Sequence, residues 1–377
     1  MSNATGIGDP QTAPAGPPAP RIPRRRRSPG EFLAFSNIGA VYVWLLIIAI
    51  FWVWVPETFP TEATVKSILN DSAVTGLVAL SLTVPLAARV FDLSVTANVG
   101  LANMVVATLL ADTTLSIPVV IALTLGASLL VGLVNVFVVV VLRIDSFIGT
   151  LATGALVGAA TTLVSNDEPI NSGRISGSFS EVASAQILGV TIPVFYMLAV
   201  AVAIWFLLEY TATGRRLYAT GFNPEAARLA GIKTHRLQAL TLMIAALIAG
   251  IVGIVLTSRI GAGSPGIGPP YLLIGFAAAF LGATQLKNGR FNAWGTVIAV
   301  LLLGTGTQGL ALAAAPVWAS SVFTGVTLIA ALAVTGVQRR SRADSGRRGG
   351  GDSGNSATEG DPPPAPQPPE PSARGPA

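Results

Sequence analysis

The sequence predicts an all-α, polytopic bundle of transmembrane helices with about ten segments, and three observations predict it. First, the 377-residue chain has a mean hydropathy of +0.66 with 51% hydrophobic and only 11% charged residues. Soluble chains carry about 25% charged residues. Second, apolar runs near the ~20 residues that a helix needs to cross the hydrocarbon core recur along the chain, where a membrane barrel would show short strands of alternating polarity. Third, the basic residues fall on one side of the topology those runs imply.

Residues 1–37 are rich in Pro, Ala, Gly and Ser and carry the run Arg24 to Arg27, so they are expected to form a disordered cytoplasmic tail. The apolar stretch that follows ends in Val55-Pro56-Glu57 without a small-residue cleavage site, which reads as a retained first span rather than a signal peptide. The ten apolar segments are Ile38–Val55, Val65–Ala88, Asp92–Ala111, Ile117–Leu142, Phe147–Val164, Ile192–Leu208, Leu237–Thr257, Gly268–Ala283, Ala293–Leu312 and Val317–Val337. Together, residues 38–337 form the expected transmembrane domain, and 338–377 a second disordered cytoplasmic tail.

An even number of spans places both tails on one side. With that side cytoplasmic, 20 of the 23 Lys and Arg lie inside, and only Lys66, Arg174 and Arg259 lie outside. Two regions are expected to be irregular. Gly268–Ala283 is short and begins Gly-Pro-Pro, the mark of a broken or re-entrant helix, and the chain from Val65 to Ala111 is apolar except at Arg89 and Asp92, which demands a very tight turn. Ser165–Val190 is the one long outer connection.

Several function classes are excluded or disfavoured. Cysteine is absent and His235 is the single histidine, so thiol chemistry and a histidine metal cluster are ruled out, and no catalytic or metal-binding residue is expected. His235, between Lys233 and Arg236, reads as a solvated interfacial residue. No G-x-x-x-x-G-K-[ST] phosphate loop occurs, so the chain is not expected to bind or hydrolyse ATP. Midplane charge is confined to Asp71 and Asp92 near span ends, which disfavours a proton- or sodium-coupled secondary carrier. The positive net charge reads as membrane orientation, with lipid and not nucleic acid as partner. Phe51, Trp52 and Trp54, with Trp44 nearby, read as an interfacial aromatic belt.

The 211–236 loop is the polar island between two long apolar segments. Within GRRLYATGFNPEAARLAGI, Asn223 suits an N-cap, Pro224 the first helical position, Glu225 the positive end of the dipole and Gly231 a left-handed C-terminal stop. Such a helix is too short to stand alone in water, so a partner must hold it. This stretch resembles the cytoplasmic loop of ribose-type permeases, the membrane subunits of ATP-binding cassette importers. The resemblance makes Gly214, Arg215, Asn223, Pro224, Glu225, Ala226, Ala227, Arg228 and Gly231 a coupling loop docked on a separate ATPase that uses ATP and Mg. It further implies a second permease subunit, as homodimer or heterodimer, and an extracytoplasmic solute-binding protein.

Phe91-Asp92-Leu93-Ser94-Val95 is similar to the Asp-Leu-Ser-Val-Gly motif of the same family, but lacks its flanking glycines. The resemblance makes Asp92, Leu93 and Ser94 candidates for the translocation pathway. From the residues alone, Asp92 reads as the N-cap of the next helix. Phe280-Leu281-Gly282-Ala283-Thr284, Asn288-Gly289-Arg290 and Trp294-Gly295-Thr296 resemble a further family segment, read either as a second cytoplasmic contact or as small residues that let helices pack. The resemblance covers residues 65 to 337 and implies import of a small polar solute, a monosaccharide first, with nucleosides and branched-chain amino acids as alternatives. A non-transporting membrane scaffold is the rival of another class.

Overall fold

The computed structural model describes residues 35–285, 289–330 and 333. The two tails expected to be disordered lie outside the described residues, apart from the backbone of 35–37, and so does Asn288. The described chain is mostly helical, and its two short strands form one hairpin. Its elements are α1 (Phe35–Trp54), α2 (Glu62–Ala87), α3 (Val95–Asp112), α4 (Ile117–Val136, continued by a wider-wound turn to Val141) and α5 (Ser146–Ser165). Two single-turn helices, α6 (Gly173–Ser176) and α7 (Glu181–Ser184), and strands β1 (Gln186–Ile187) and β2 (Val190–Thr191) follow. Then come α8 (Ile192–Tyr210), α9 (Ala212–Phe222), α10 (Pro224–Leu229), α11 (Thr234–Ile260), α12 (Pro270–Gln285), α13 (Ala293–Leu312) and α14 (Val317–Ala330). Seven of these are long and apolar enough to cross a membrane, and α1, α12 and α14 hold shorter apolar stretches.

The core forms around α2, α3 and α11, which bury most of their length, while α4, α5 and α8 expose Leu, Val, Ile and Phe outward. Outward apolar faces are what a lipid solvent requires. Small residues set the closest crossings. A Cβ at Gly253 of α11 would lie 2.5 Å from Ala102 Cβ, 2.7 Å from Val99 O and 2.8 Å from Asn103 N, so α3 and α11 touch backbone to backbone. Gly282 and Gly295 do the same for α12 and α13, with a Cβ at 282 within 2.5 Å of the Gly295 carbonyl carbon. The packing reading of that motif is therefore the one the geometry takes.

Two ends of the bundle can be told apart. At one end the start of α2 meets the end of α11 through Arg259, which bonds the Asn70 carbonyl at 3.1 Å and pairs with Asp71. Asn70 Oδ1 accepts from the Thr191 N–H at 2.9 Å, and Arg174 donates to the Thr113 and Leu115 carbonyls beyond α3. The Ser165–Val190 connection is thus an ordered cap rather than an open loop: Ser258 Oγ of α11 accepts from Ala183 N at 2.9 Å and donates to the Phe179 carbonyl at 2.8 Å. At the other end the last turn of α2 meets α9, and α5, α11 and α13 begin.

Two stretches leave helical geometry inside the bundle. Residues 88–94 separate α2 from α3 and are mostly buried, and Arg89 adopts a left-handed φ of 60°. The expected tight turn is a seven-residue excursion, because the chain folds back into the bundle before α3 begins. Residues 261–269 descend beside α3: Asn103 Oδ1 accepts from Ser264 N at 2.6 Å, Gly263 and Ile170 exchange two backbone bonds at 2.8 and 2.9 Å, and a Cβ at Gly268 would strike the Thr96 carbonyl. Helix α12 therefore starts beside the first turns of α3, deep in the bundle, and its 16 residues measure about 24 Å, short of the ~30 Å hydrocarbon core. The Gly-Pro-Pro signal marks this internal start.

Trp44 and Phe51 depart from the aromatic-belt reading. Trp44 Nε1 donates to Thr305 Oγ1 at 2.9 Å and Phe51 packs on Gly309, so both face α13, while Trp52 and Trp54 stay exposed. Gly253→Leu should overpack the α3–α11 crossing and cost about 1–3 kcal/mol or more, read as a lowered Tm in detergent. Gly158→Ala, with nothing within 4 Å of the added Cβ, should leave Tm unchanged.

Candidate functional site

The polar sequence between α8 and α11 folds into two consecutive helices. Thr211 ends α8 and caps α9, its Oγ1 accepting from Gly214 N at 3.0 Å. Helix α9 is amphipathic: Gly214, Leu217 and Thr220 are buried, while Arg215 and Arg216 face outward. Gly214 is obligatory, because a Cβ there would strike the Leu207 and Leu208 carbonyls. Gly221 likewise lies against the Ala87 carbonyl at the end of α2. Tyr218 ties α9 to the start of α13, its hydroxyl donating to the Phe291 carbonyl at 2.8 Å while Arg290 lies 5.5 Å from the ring centroid. Burial, and then the nearby Glu209 carboxylate, push the Tyr218 phenol above its ordinary pKa, so it remains a neutral donor.

Helix α10 has the caps its sequence calls for. Asn223 Oδ1 accepts from Glu225 N and Ala226 N, both at 3.1 Å, with Pro224 in the first turn. At the other end Gly231 sits at φ 81°, its N–H bonds the Arg228 carbonyl at 3.0 Å, and Ile232 N bonds the Ala227 carbonyl at 3.0 Å. That pair of bonds is the Schellman closure, which needs a left-handed residue at Gly231. Ala227 is the inward residue of α10. Glu225, Ala226, Arg228 and Leu229 face out, with Glu225 and Arg228 3.6 Å apart. Leu229 is 83% exposed and Phe222, at the α9–α10 junction, is 89% exposed. The two helices thus present two apolar side chains and a charged pair on a surface that the rest of the chain leaves uncovered.

Asp92, Leu93 and Ser94 lie together in the non-helical stretch before α3. Asp92 is 1% exposed, and its Oδ1 accepts from Ser94 N at 3.0 Å and Ser94 Oγ at 2.6 Å. Ser94, not Asp92, is the N-cap residue of α3, and it makes no side-chain cap bond. The N-cap expectation for Asp92 therefore fails, since its carboxylate closes the turn two residues earlier. Asn135 of α4 donates to Ser94 Oγ at 2.6 Å, while α5 supplies Ser146 Oγ to Phe91 N at 3.1 Å and Thr150 Oγ1 to Leu93 N at 2.9 Å. Asp92, Ser146 and Thr150 serve the non-helical backbone of the break, and Asn135 holds the Ser94 side chain.

With this geometry in hand, comparison with known proteins is decisive. The family described as "Branched-chain amino acid transport system / permease component" matches residues 64–332. The ribose import permease protein of Escherichia coli strain K12 is 31% identical over 293 residues, 77% of this chain and 90% of the relative. The D-allose transport system permease protein of the same strain is 29% identical over 312 residues, 82% of this chain and 94% of the relative. Its L-arabinose transport system permease protein is 30% identical over 309 residues, 81% and 93%. The chain belongs to this family of ABC importer permeases.

As a permease of this family it is a multi-pass membrane transport subunit and not an enzyme, with ATP hydrolysis assigned to a separate subunit. The structure gathers Asn223, Pro224, Glu225, Ala226, Ala227, Arg228 and Gly231 into one capped helix and keeps Arg215 exposed on the helix before it, while Gly214 is a packing residue. Sequence reasoning missed Phe222, Tyr218 and the whole of α9. A hydrophobic spacing of Leu217 with Gly214 and Gly221 was the available signal, but glycine reads as a helix breaker. Asp92 and Ser94 of this permease hold a break together. Thr150→Val should leave the Leu93 N–H without its partner at a cost of about 1–3 kcal/mol, seen as a lower Tm of the purified permease.

Proposed function

We propose that this permease passes a monosaccharide across the cytoplasmic membrane, working with an ATPase that docks on α9–α10, an extracytoplasmic solute-binding protein and a second permease subunit. Similarity over three quarters or more of the chain to ribose, allose and arabinose permeases supports the solute class. One structural observation carries the coupling: α10 is fixed at both ends by its own caps, yet it presents Leu229, and the end of α9 beside it Phe222, almost fully exposed. Exposed apolar anchors beside charged residues are what a docking surface offers a partner. The α9–α10 end faces the cytoplasm in this reading, both tails lie there, and ATP and Mg are used by the partner ATPase, with no cofactor held by this chain. ATP-driven closure of the partner would displace α9–α10 and, through Gly221 against Ala87 and Tyr218 against Phe291, the ends of α2 and α13.

Phe222→Ala and Leu229→Ala should each weaken ATPase association at least about tenfold, ~1.4 kcal/mol, by pull-down from detergent. Gly231→Val should be more severe, since a β-branched residue is forced into left-handed geometry and the closing turn of α10 is lost. Binding of solute to the extracytoplasmic protein should not change. Variants that insert, bind the ATPase and transport at wild-type rates would reduce α10 to a connector. Orientation has its own test in this cysteine-free chain: Ser178→Cys should react with an impermeant thiol reagent from outside, and His235→Cys only after the cytoplasmic face is opened.

A further inference from the structure

Between α2, α12 and α13 lies a cleft of about 70 Å³, in the half of the bundle nearer the α6–α7 cap. Its polar lining comes from Asp71, Ser72 and Thr75 on α2 and from Thr307 and Gln308 on α13, and its apolar walls from Ile68, Ile274 and Val300. Five polar side chains converge here, apart from the buried polar groups that serve the breaks at 88–94 and 261–269. We propose that this cleft is a solute-contact subsite of the permease, taking one hydroxyl-bearing edge of a polyhydroxylated solute through Ser72, Thr307 and Gln308. The proposal rests on the transport reading above and adds where the solute touches this chain.

Ser72 is the deciding residue. It is 3% exposed, lines the cleft, and its Oγ has no hydrogen-bond partner. Elsewhere in the bundle, buried hydroxyls of Thr83, Thr124, Thr153 and Thr161 donate to the carbonyl four residues back, the usual way a helix satisfies a threonine in an apolar setting. Ser72 does not, and Thr108 and Ser128, outside the cleft, share its unpartnered state. A buried hydroxyl without a partner costs free energy unless a ligand or water supplies the missing bond.

The space in front of that hydroxyl is itself built. Gly304 of α13 faces Ser72, and a Cβ there would collide with Ser72 Oγ, so the glycine makes room for this buried hydroxyl in the cleft wall. Thr307 has its hydroxyl proton turned toward the Leu303 and Gly304 carbonyls, both 3.1 Å away, which leaves its oxygen lone pairs as acceptors. Gln308 brings an amide able to donate and accept. Asp71 stands at the rim with its carboxylate held by Ser67 Oγ at 3.1 Å and by Arg259. A sugar presents both apolar C–H surface and a row of hydroxyls that donate and accept, which matches aliphatic walls carrying hydroxyl and amide groups. The volume accommodates an edge of such a ring, since even one water needs ~10–15 Å³ of this kind of space.

The test uses the complete importer, permease with its ATPase and binding protein, in proteoliposomes given D-ribose, D-allose and L-arabinose. Thr307→Val and Gln308→Leu are expected to lower transport at saturating loaded binding protein at least about tenfold, and Ser72→Ala at least about threefold, with yield and Tm unchanged. In Gln308→Cys, the only cysteine of the chain, labelling by a small hydrophilic thiol reagent should slow at least about threefold when the transported sugar is present during turnover. Wild-type transport in all three variants together with no protection of the cysteine would overturn the subsite while leaving the transport reading intact. A wild-type importer that moved none of the three sugars would overturn the monosaccharide reading and the subsite with it.

Discussion

Inside a lipid bilayer no water is available for a backbone that leaves helical geometry, so each freed N–H and C=O must find a partner in the protein. Residues 88–94 and 261–269 are the two places where this chain meets that demand, and much of its buried polarity is explained by them. Ser146 and Thr150 serve Phe91 and Leu93, Asp92 serves Ser94, and Asn103 serves Ser264 while also donating to Thr257 Oγ1 at 2.8 Å and to the Ala262 carbonyl. Polar residues that would be costly as isolated groups become structural because they replace missing helix bonds. The breaks in turn fix where α3 and α12 begin, and so the shape of the space between them.

Helix α2 joins the two ends of the molecule. Its last turn touches Gly221 of α9, and two turns from its start Asp71 and Ser72 face the cleft. Tyr218 of the same α9 holds the Phe291 carbonyl just ahead of α13, whose Thr307 and Gln308 form the facing wall. The helices that α9 grips at one end are therefore two of the three that bound the cleft toward the other. A partner that displaces α9 would act on both walls together, and it can change access only by binding one arrangement of those walls better than the other. Rigid helices and a hydrogen-bonded tyrosine are suited to carry such a displacement, since close-packed elements shift as bodies rather than deform.

What could be read from the sequence was local. The caps of α10 depend on Asn223, Pro224 and Gly231 and their own backbone, so the residue types alone located the helix and its left-handed stop. For the seven helices long and apolar enough to cross a membrane, apolar runs located both ends to within a turn, because lipid imposes a similar length on each. The rest depended on contacts distant in sequence. Gly214 and Gly221 argue against a helix by propensity, yet α9 keeps both because the Leu207, Leu208 and Ala87 carbonyls leave no room for a Cβ. Asp92 looked like a cap, but its Oδ1 accepts from Ser94 N and Oγ inside the break, while Ser146 and Thr150 of the distant α5 hold the N–H groups of Phe91 and Leu93 on either side of it. Ser72 and Gln308 lie in windows so apolar that hydropathy averages them away, and only packing of α2 against α13 makes them neighbours.

The chemistry of the cleft also bears on which solute the permease takes, since the matching family is described for branched-chain amino acids while the similar proteins named above are sugar permeases. An amino acid is a zwitterion, and moving it into an apolar bundle requires a cationic or amide-rich partner for its carboxylate and an anionic one for its ammonium. Among the described residues, the only charged side chain lining the cleft is Asp71, and its two oxygens already accept from Ser67 and Arg259. No lysine or arginine among the described residues contributes to the lining. Freeing Asp71 to meet an ammonium would leave Arg259 without its carboxylate, and the carboxylate of the solute would meet only the neutral Gln308 amide and hydroxyls among the described lining residues. A neutral polyol makes no such demand. It needs only hydroxyl and amide partners beside aliphatic surface, which Ser72, Thr307, Gln308, Ile68, Ile274 and Val300 supply, and it leaves the Asp71–Arg259 link between α2 and α11 intact.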